Sequence, residues 1–239
     1  MLHLPDMEAR RAALRASPLF ARLDPGQIEA VLAQATARRA SRGDALLQRG
    51  RPSAGVIIIV AGRVRIAVVS EGGGEVTLGI LGPGDVLGEM SVLDGGEVSA
   101  DAVAIEDCLL LAIDRARFLH LLRGNGDLCV RLMAVLCQRL RRSNANLEDL
   151  ALLDMSTRLG RLVLRLAQDY GARTEGGLRI QVKLSQKDLG AMIGASREKV
   201  NKQLRQWEQD GILAREGGHM IVQRIEALSR LTASGGDAG

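Results

Sequence analysis

The sequence predicts an α+β chain. A barrel or sandwich of short strands comes first, then one long helix, then a helical C-terminal third. Three observations carry that expectation. Between about residues 43 and 113, short apolar runs alternate with Gly, Pro, Asp and Ser, the pattern of an all-β barrel or sandwich. From Asp127 to Leu153, Leu136, Leu140, Ser143, Leu147 and Leu150 continue to Asp154 at spacings of 4, 3, 4, 3 and 4, a heptad seam. The segment SQKDLGAMIGASREKVNKQLRQWEQDGIL then places two short helices about a Gly-containing turn.

Composition bounds the rest. The chain has 239 residues, 46% apolar but only 2% aromatic, so its cores must be built from Leu, Val, Ile, Ala and Met. No apolar run of about 18 residues exists to span a membrane, and the N-terminus lacks the apolar region of a secretory signal. Cys108, Cys129 and Cys137 form neither a CxxC pair nor a metal spacing. A reduced, cytoplasmic setting with no membrane partner is therefore expected. Residues 155–231 hold 14 Lys and Arg against 8 Asp and Glu, whereas residues 1–154 hold 18 against 19. The basic character sits in the C-terminal third, which points to a polyanion partner for that third.

Taken in order, residues 5–39 are expected to be helical. Ser17 and Asp24 would cap helices that begin at Pro18 and Pro25. Seven runs follow as strands: ALLQ, VIIIV, VRIAVV, VTLGIL, DVLGEM, SADAVAI and CLLLAI. Glycines, including Gly72-Gly73-Gly74, mark the breaks. In RVRIAVV a period of two sends Val64, Ile66 and Val68 inward and Arg63 and Arg65 outward. The long helix has either its own domain or a second copy of itself to pack on, and the Leu-bearing repeats favour the two-stranded coiled coil. STRLGRLVLRLAQDYG is a further helix ended by Gly171. RIQVKLS is a short strand, ILAREGGHMIVQR a hairpin turning at Gly217-Gly218, and TASGGDAG a disordered tail. The expected divisions are 1–126, 127–153, 154–231 and a tail at 232–239.

In the two-helix segment, Ser185 would cap the first helix and Ser196 the second. Val200, Leu204 and Trp207, spaced 4 and 3, would form the buried face. Gln186, Ser196, Arg197, Glu198, Asn201 and Lys202 are then left for a partner. In a helix-turn-helix the start of the second helix enters the DNA major groove. Arg can bond guanine O6 and N7, Glu can accept from cytosine N4, and each such contact discriminates by about 1–3 kcal/mol. The hairpin after it would complete a winged helix. Double-stranded DNA is the expected partner.

This arrangement resembles the cyclic-AMP receptor protein and Fnr (Crp/Fnr) family of transcription regulators. GASREKVNKQLRQWEQDGIL is similar to the family's recognition-helix segment. RGDALLQRG, VAGRVRI, LGPGDVLGEMSVLDGG and LALLDMSTRLGRLVLRLA follow its barrel, cassette and hinge pattern. The resemblance spans about residues 17–228. It implies a cyclic-nucleotide-binding-type β-roll (jelly roll), a dimerisation helix, a winged helix-turn-helix and a homodimer on a palindromic operator. If the outcome is activation, RNA polymerase becomes a further partner. Gly88 and Glu89 match the contacts to the cyclic phosphate and the ribose hydroxyl, with Met90 and Ser91 beside them. Ser99 and Ala100 match the end of the phosphate cassette. Ser143 and Asn144 match the pair that meets the purine, one of them from the partner subunit. Arg197, Glu198 and Lys202 match the base readers, and the hinge falls near Asp154.

One position departs. Val98 stands where cyclic-nucleotide binders of the family place an arginine on the phosphate. A charge-assisted bond contributes about 1.5–3 kcal/mol, so its loss weakens binding roughly tenfold to a hundredfold. Arg63, Arg65, Arg141 and Arg142 are substitute cations to consider. Three readings stay open: a weakly held cyclic nucleotide such as cyclic AMP, another effector such as a cyclic dinucleotide or an uncharged molecule, or ligand-independent competence for DNA. An iron–sulfur sensor lacks its N-terminal cysteines. Haem sensing has only the scattered His3, His120 and His219. A metal-dependent β-roll enzyme would need histidines, and residues 43–113 contain none. A sensing module of a channel or kinase lacks both the membrane span and the kinase motifs. No enzymatic activity is expected.

Overall fold

The computed structural model describes residues 6–70, 72 and 74–233. Internal contacts divide the chain into two compact units, one ending at Arg141 and the other beginning at Arg142.

The first unit opens with α1 (Met7–Ala16), capped by Asp6, whose carboxylate accepts from Ala9 N at 2.7 Å. Ser17 ends this helix instead of starting another: its N–H donates to Ala13 O and Leu14 O. The helix expected from Pro18 does not form. Residues 18–22 turn sharply, which buries Leu19 and Phe20. α2 (Pro25–Gln34) begins where expected, with Asp24 and Gln27 in a reciprocal capping box. Residues 36–40, expected to be helical up to 39, are strand β1 (Thr36–Ala40). They pair antiparallel with β8 (Cys108–Asp114) from Thr36↔Ala112 to Ala40↔Cys108. Here sheet pairing overrides local helical preference.

Between them run β2 (Ala45–Leu47), β3 (Gly55–Ala61), β4 (Val64–Val69), β5 (Glu75–Leu81), β6 (Val86–Leu87), α3 (Glu89–Asp94) and β7 (Asp101–Ala104). Two antiparallel sheets result, in the orders β1-β8-β3-β6 and β2-β7-β4-β5. One core lies between them, with Ile59, Val64, Leu87, Ala102, Ala104, Cys108 and Leu110 buried together. A second core joins α1, α2 and α4 (Arg115–Arg123) to the first sheet through Leu14, Phe20, Val31, Ile58, Leu111 and Phe118. The expected alternation in β4 holds only at its start. The register shifts between Ile66 and Ala67, so Val64 and Ala67 are buried while Ile66 and Val68 are half-buried. The extra residue is Leu78 of β5, and a bulge of this kind twists the paired strands locally. DVLGEM is strand only at Val86–Leu87, because Gly88 turns the chain into α3.

The long helix α5 (Gly126–Leu152) spans nearly the expected residues. Its N-terminal turns bury Leu128 and Leu132 in the core of the first unit.

In the second unit, α6 (Met155–Tyr170) is capped by Asp154 and stops at Gly171. A hairpin not foreseen from the sequence follows, β9 (Gly171–Thr174) with β10 (Gly177–Ile180). The strand expected in RIQVKLS therefore ends at Ile180. Next come α7 (Gln186–Ile193), α8 (Arg197–Gln209), β11 (Leu213–Glu216), β12 (His219–Val222) and α9 (Ile225–Ala233). The small sheet has the order β11-β12-β10-β9. α9 was not foreseen, and it takes in the start of the expected tail: Thr232 and Ala233 are helical, and Thr232 is buried. The rest of that tail, like His3 and Gly73, lies outside the described residues.

Candidate DNA interface and effector site

The recognition segment forms as the spacing predicts. The Ser185 hydroxyl caps α7 and shares a capping box with Asp188. The Ser196 hydroxyl caps α8, accepting from Lys199 N at 3.4 Å. Val200, Leu204 and Trp207 are buried, and Leu189 and Ile193 bury the inner face of α7. Burying that stripe leaves Arg197, Glu198 and Lys202 exposed, with Asn201 and Gln186 half-buried. Glu198 is held below the usual carboxylate range, first by its own backbone N–H, then by the Ser196 hydroxyl and the charge of Arg197. It is therefore an ionised, acceptor-only group, suited to an amino donor.

Arg205 lies on the same ridge, where Glu198, Asn201, Lys202, Arg205, Gln206 and Gln209 line a shallow groove along α8. Sequence reasoning left it out, although its spacing of three from Lys202 and four from Asn201 could have found it. The hairpin β11–β12 is fastened to α8 by Arg215, whose Nε and Nη2 donate to the two oxygens of Glu208 at 2.5 and 2.7 Å. That pairing pushes Glu208 down and Arg215 up. Wing and recognition helix are thus held as one piece.

In the first unit, Gly88 adopts φ 79°, and a Cβ there would fall 2.8 Å from Gly55 O. Only glycine both makes this turn and allows that approach. It delivers Glu89 to the start of α3, where the residue is 3% exposed. A buried carboxylate requires a partner. Arg139 of α5 supplies it: Nη1 donates to Glu89 Oε1 and Nη2 to Val86 O, each at 2.6 Å. Sequence reasoning missed this arginine, which lies one helical turn before Ser143. Ser91 is buried and Met90 half-exposed. Val98 is 6% exposed, and its backbone is paired with the 50–51 segment through Gly50 N to Val98 O at 3.0 Å and Val98 N to Arg51 O at 2.9 Å. Its side chain lines a cleft of about 420 Å³ with Leu47, Ser53 and Ile57. Ser99 is exposed and Ala100 buried.

Among the substitutes considered for Val98, Arg63 is paired with Glu106 at 2.8 Å and Arg65 with Glu75. Both are partly buried and already paired. Arg142 meets Asp169 at 3.3 Å in the second unit, and Arg141 is exposed. Ser143 and Asn144 are exposed in the second unit's stretch of α5.

The leucine seam divides by environment. Leu136 packs partly against the core of its own unit. Leu140 and Leu147 are more than 60% exposed, and Leu150 is exposed as well. Cys108 is buried, and burial pushes its thiol up to about 11. Among the described residues no group of three or more His, Cys, Asp or Glu is gathered as for a metal. No helix among them is long and apolar enough to cross a membrane.

A β-roll with a glycine-turned cassette, a long helix and a winged helix-turn-helix together define a transcription regulator with an effector-type domain. Residues 37–125 match the family model of the cyclic nucleotide-binding domain, and residues 157–231 that of the Crp-like helix-turn-helix domain. The chain is 32% identical over 212 residues to a CRP-like cAMP-activated global transcriptional regulator of Mycobacterium tuberculosis, covering 89% of this chain and 95% of that one. It is also 32% identical over 218 residues to the cyclic AMP receptor protein of Thermus thermophilus, covering 91% and 98%. In structure it is similar to a CRP/FNR-family transcriptional regulator from the same organism, with TM-score 0.71, 24% identity, and coverage of 84% and 100%. The chain belongs to the Crp/Fnr family of DNA-binding transcription regulators.

Proposed function

We propose that this regulator acts in the cytoplasm as a homodimer on a palindromic operator, reading bases with Arg197, Glu198 and Lys202. Gln186, Ser196 and Asn201 assist at the groove. The observation that carries the reading is the clean division of α8, with Val200, Leu204 and Trp207 wholly inside and the polar readers outside. Lys202 is a point charge rather than a planar fork, so its base preference is the loosest of the three. Two copies of the exposed Leu140, Leu147 and Leu150 face cover each other in the dimer, with Leu136 and Ser143 at its edge. RNA polymerase is a further partner where the outcome is activation. Arg197→Ala abolishes specific operator binding and leaves the dimer intact. Wild-type affinity in a gel shift would refute the assignment.

For the effector, the relatives named for cyclic AMP support a cyclic nucleotide held by Gly88, Glu89, Met90, Ser91, Ser99 and Ala100, with Ser143 and Asn144 at the base. Val98 gives the phosphate no charge, and Arg139 is the cation already beside Glu89. Calorimetric titration with cyclic AMP, of wild type and Val98→Arg in parallel, decides between the open readings. Binding by the wild type that switches on DNA binding means a cassette working without its arginine. Binding by Val98→Arg alone means another effector or ligand-independent action.

A further inference from the structure

The end of α5 is fastened to the DNA-binding head at several independent points. Asp149 is the most buried of them, its side chain only 8% exposed. One of its oxygens accepts from Arg161 Nη1 at 2.7 Å and the other from Arg165 Nη1 at 3.2 Å. Both arginines stand on α6, one turn apart. A buried carboxylate so placed is tolerated only with its partners. Arg158, also on α6, donates through Nη1 to Leu153 O at 2.7 Å and through Nε to Ile193 O at 3.0 Å. One guanidinium thus joins the residue that follows α5 to the last residue of α7. Leu150 reaches the helix-turn-helix turn: Gly194 has φ 64°, and a Cβ there would lie 3.1 Å from Leu150 Cδ2. The intervening turn is closed as well, since Asp154 accepts from Thr157 N and Oγ1, each at 2.9 Å.

We infer that Asp149 is a positioning residue for DNA binding. It pins the last turns of α5 to α6 and so sets the angle at which α6 leaves the Leu153–Asp154 turn. This rests on the DNA-binding assignment but not on any effector.

The test compares full-length wild type, Asp149→Asn, Asp149→Glu and the double variant Arg161→Gln/Arg165→Gln. Each is measured for affinity to a duplex that the wild type selects from a random pool, and for hydrogen exchange by mass spectrometry. Both arginines are half-exposed, but removing them strands the buried Asp149 carboxylate, so the triple variant Asp149→Asn/Arg161→Gln/Arg165→Gln, which leaves no buried charge, is run beside it as the folded control. Asp149→Asn and the double variant are expected to lose operator affinity by about tenfold or more, given the cost of breaking a buried pair. Exchange should quicken across residues 150–160 while residues 185–209 stay protected, and Asp149→Glu should recover part of the affinity. Unchanged exchange across 150–160 overturns the inference, as does loss of protection throughout the head, which would make the role merely structural. An effect of Asp149→Asn without one in the double variant overturns it too. If the wild type selects no duplex, the DNA reading fails, and the exchange arm still decides whether Asp149 is the pin.

Discussion

At the scale of single residues, caps and charges decide the local geometry. Asp154 is held below the ordinary aspartate range, first by the Thr157 backbone N–H, with the Thr157 hydroxyl adding to it. Because its folded pKa is depressed, its contribution is present at neutral pH and is lost as pH falls through the folded value. Asp154→Ala should lower stability by about 1 kcal/mol at pH 7, and melts of the two proteins should converge in acid. A constant gap down to low pH would refute the cap. Cys108, raised to about 11 by burial, should resist alkylation at neutral pH until the chain unfolds, as mass spectrometry of labelled peptides can read. Residues of this kind were legible in part. Asp24, Ser185 and Ser196 could be picked out as caps, because a cap is a property of a few neighbouring residues, whereas Asp154 was read only as the end of the seam and the place of the hinge. Ser17 could not, since its role depends on where Leu19 and Phe20 are buried. Arg139 escaped for a related reason: its partner Glu89 is fifty positions away and only the fold brings them together.

At the scale of elements, periodicity was informative where one face is buried and uninformative where the sheet bends. The α8 pattern Val200, Leu204, Trp207 placed the helix correctly, and the long helix was legible to within a residue or so at each end. The burial pattern of β4 was not, because it depends on a bulge at Leu78 of the partner strand β5, which the β4 sequence does not contain. β1 was lost to its helical neighbours, for its TARRA sequence has weak strand preference and is recruited by the apolar strand CLLLAID. β9 and α9 are short and take their stability from packing rather than from pattern. Trp207→Ala should destabilise the C-terminal unit by about 3–5 kcal/mol, seen as an early unfolding step in calorimetry. A change within error would mean that Trp207 is not a keystone of the helix-turn-helix core. On α5, Leu147→Glu should yield monomers by light scattering, since a charge between the seam leucines Leu140 and Leu150 cannot be solvated in a coiled coil. A mutant that stays dimeric would move the interface elsewhere.

At the scale of the whole molecule, the chain joins a β-roll that resembles a nucleotide sensor to a head that reads DNA. Composition alone had placed the basic excess in residues 155–231, and the exposed Arg197, Lys202 and Arg205 show part of that excess concentrated along one ridge of α8. The cassette of the sensing half has Gly88, Glu89 and Ser99 but places a buried valine at 98, and Arg139 of α5 is paired with Glu89. The central claim concerns DNA, and it can be tested without knowing the effector. Purified protein is presented with a random pool of duplexes, with and without cyclic AMP, and the retained sequences are read. The account predicts enrichment of a dyad whose half-sites lie about one helical turn apart, with the symmetry lost from Arg197→Ala selections. Retention of DNA without any enriched motif, or of a single unrepeated site, would contradict a homodimer that reads a palindrome through α8.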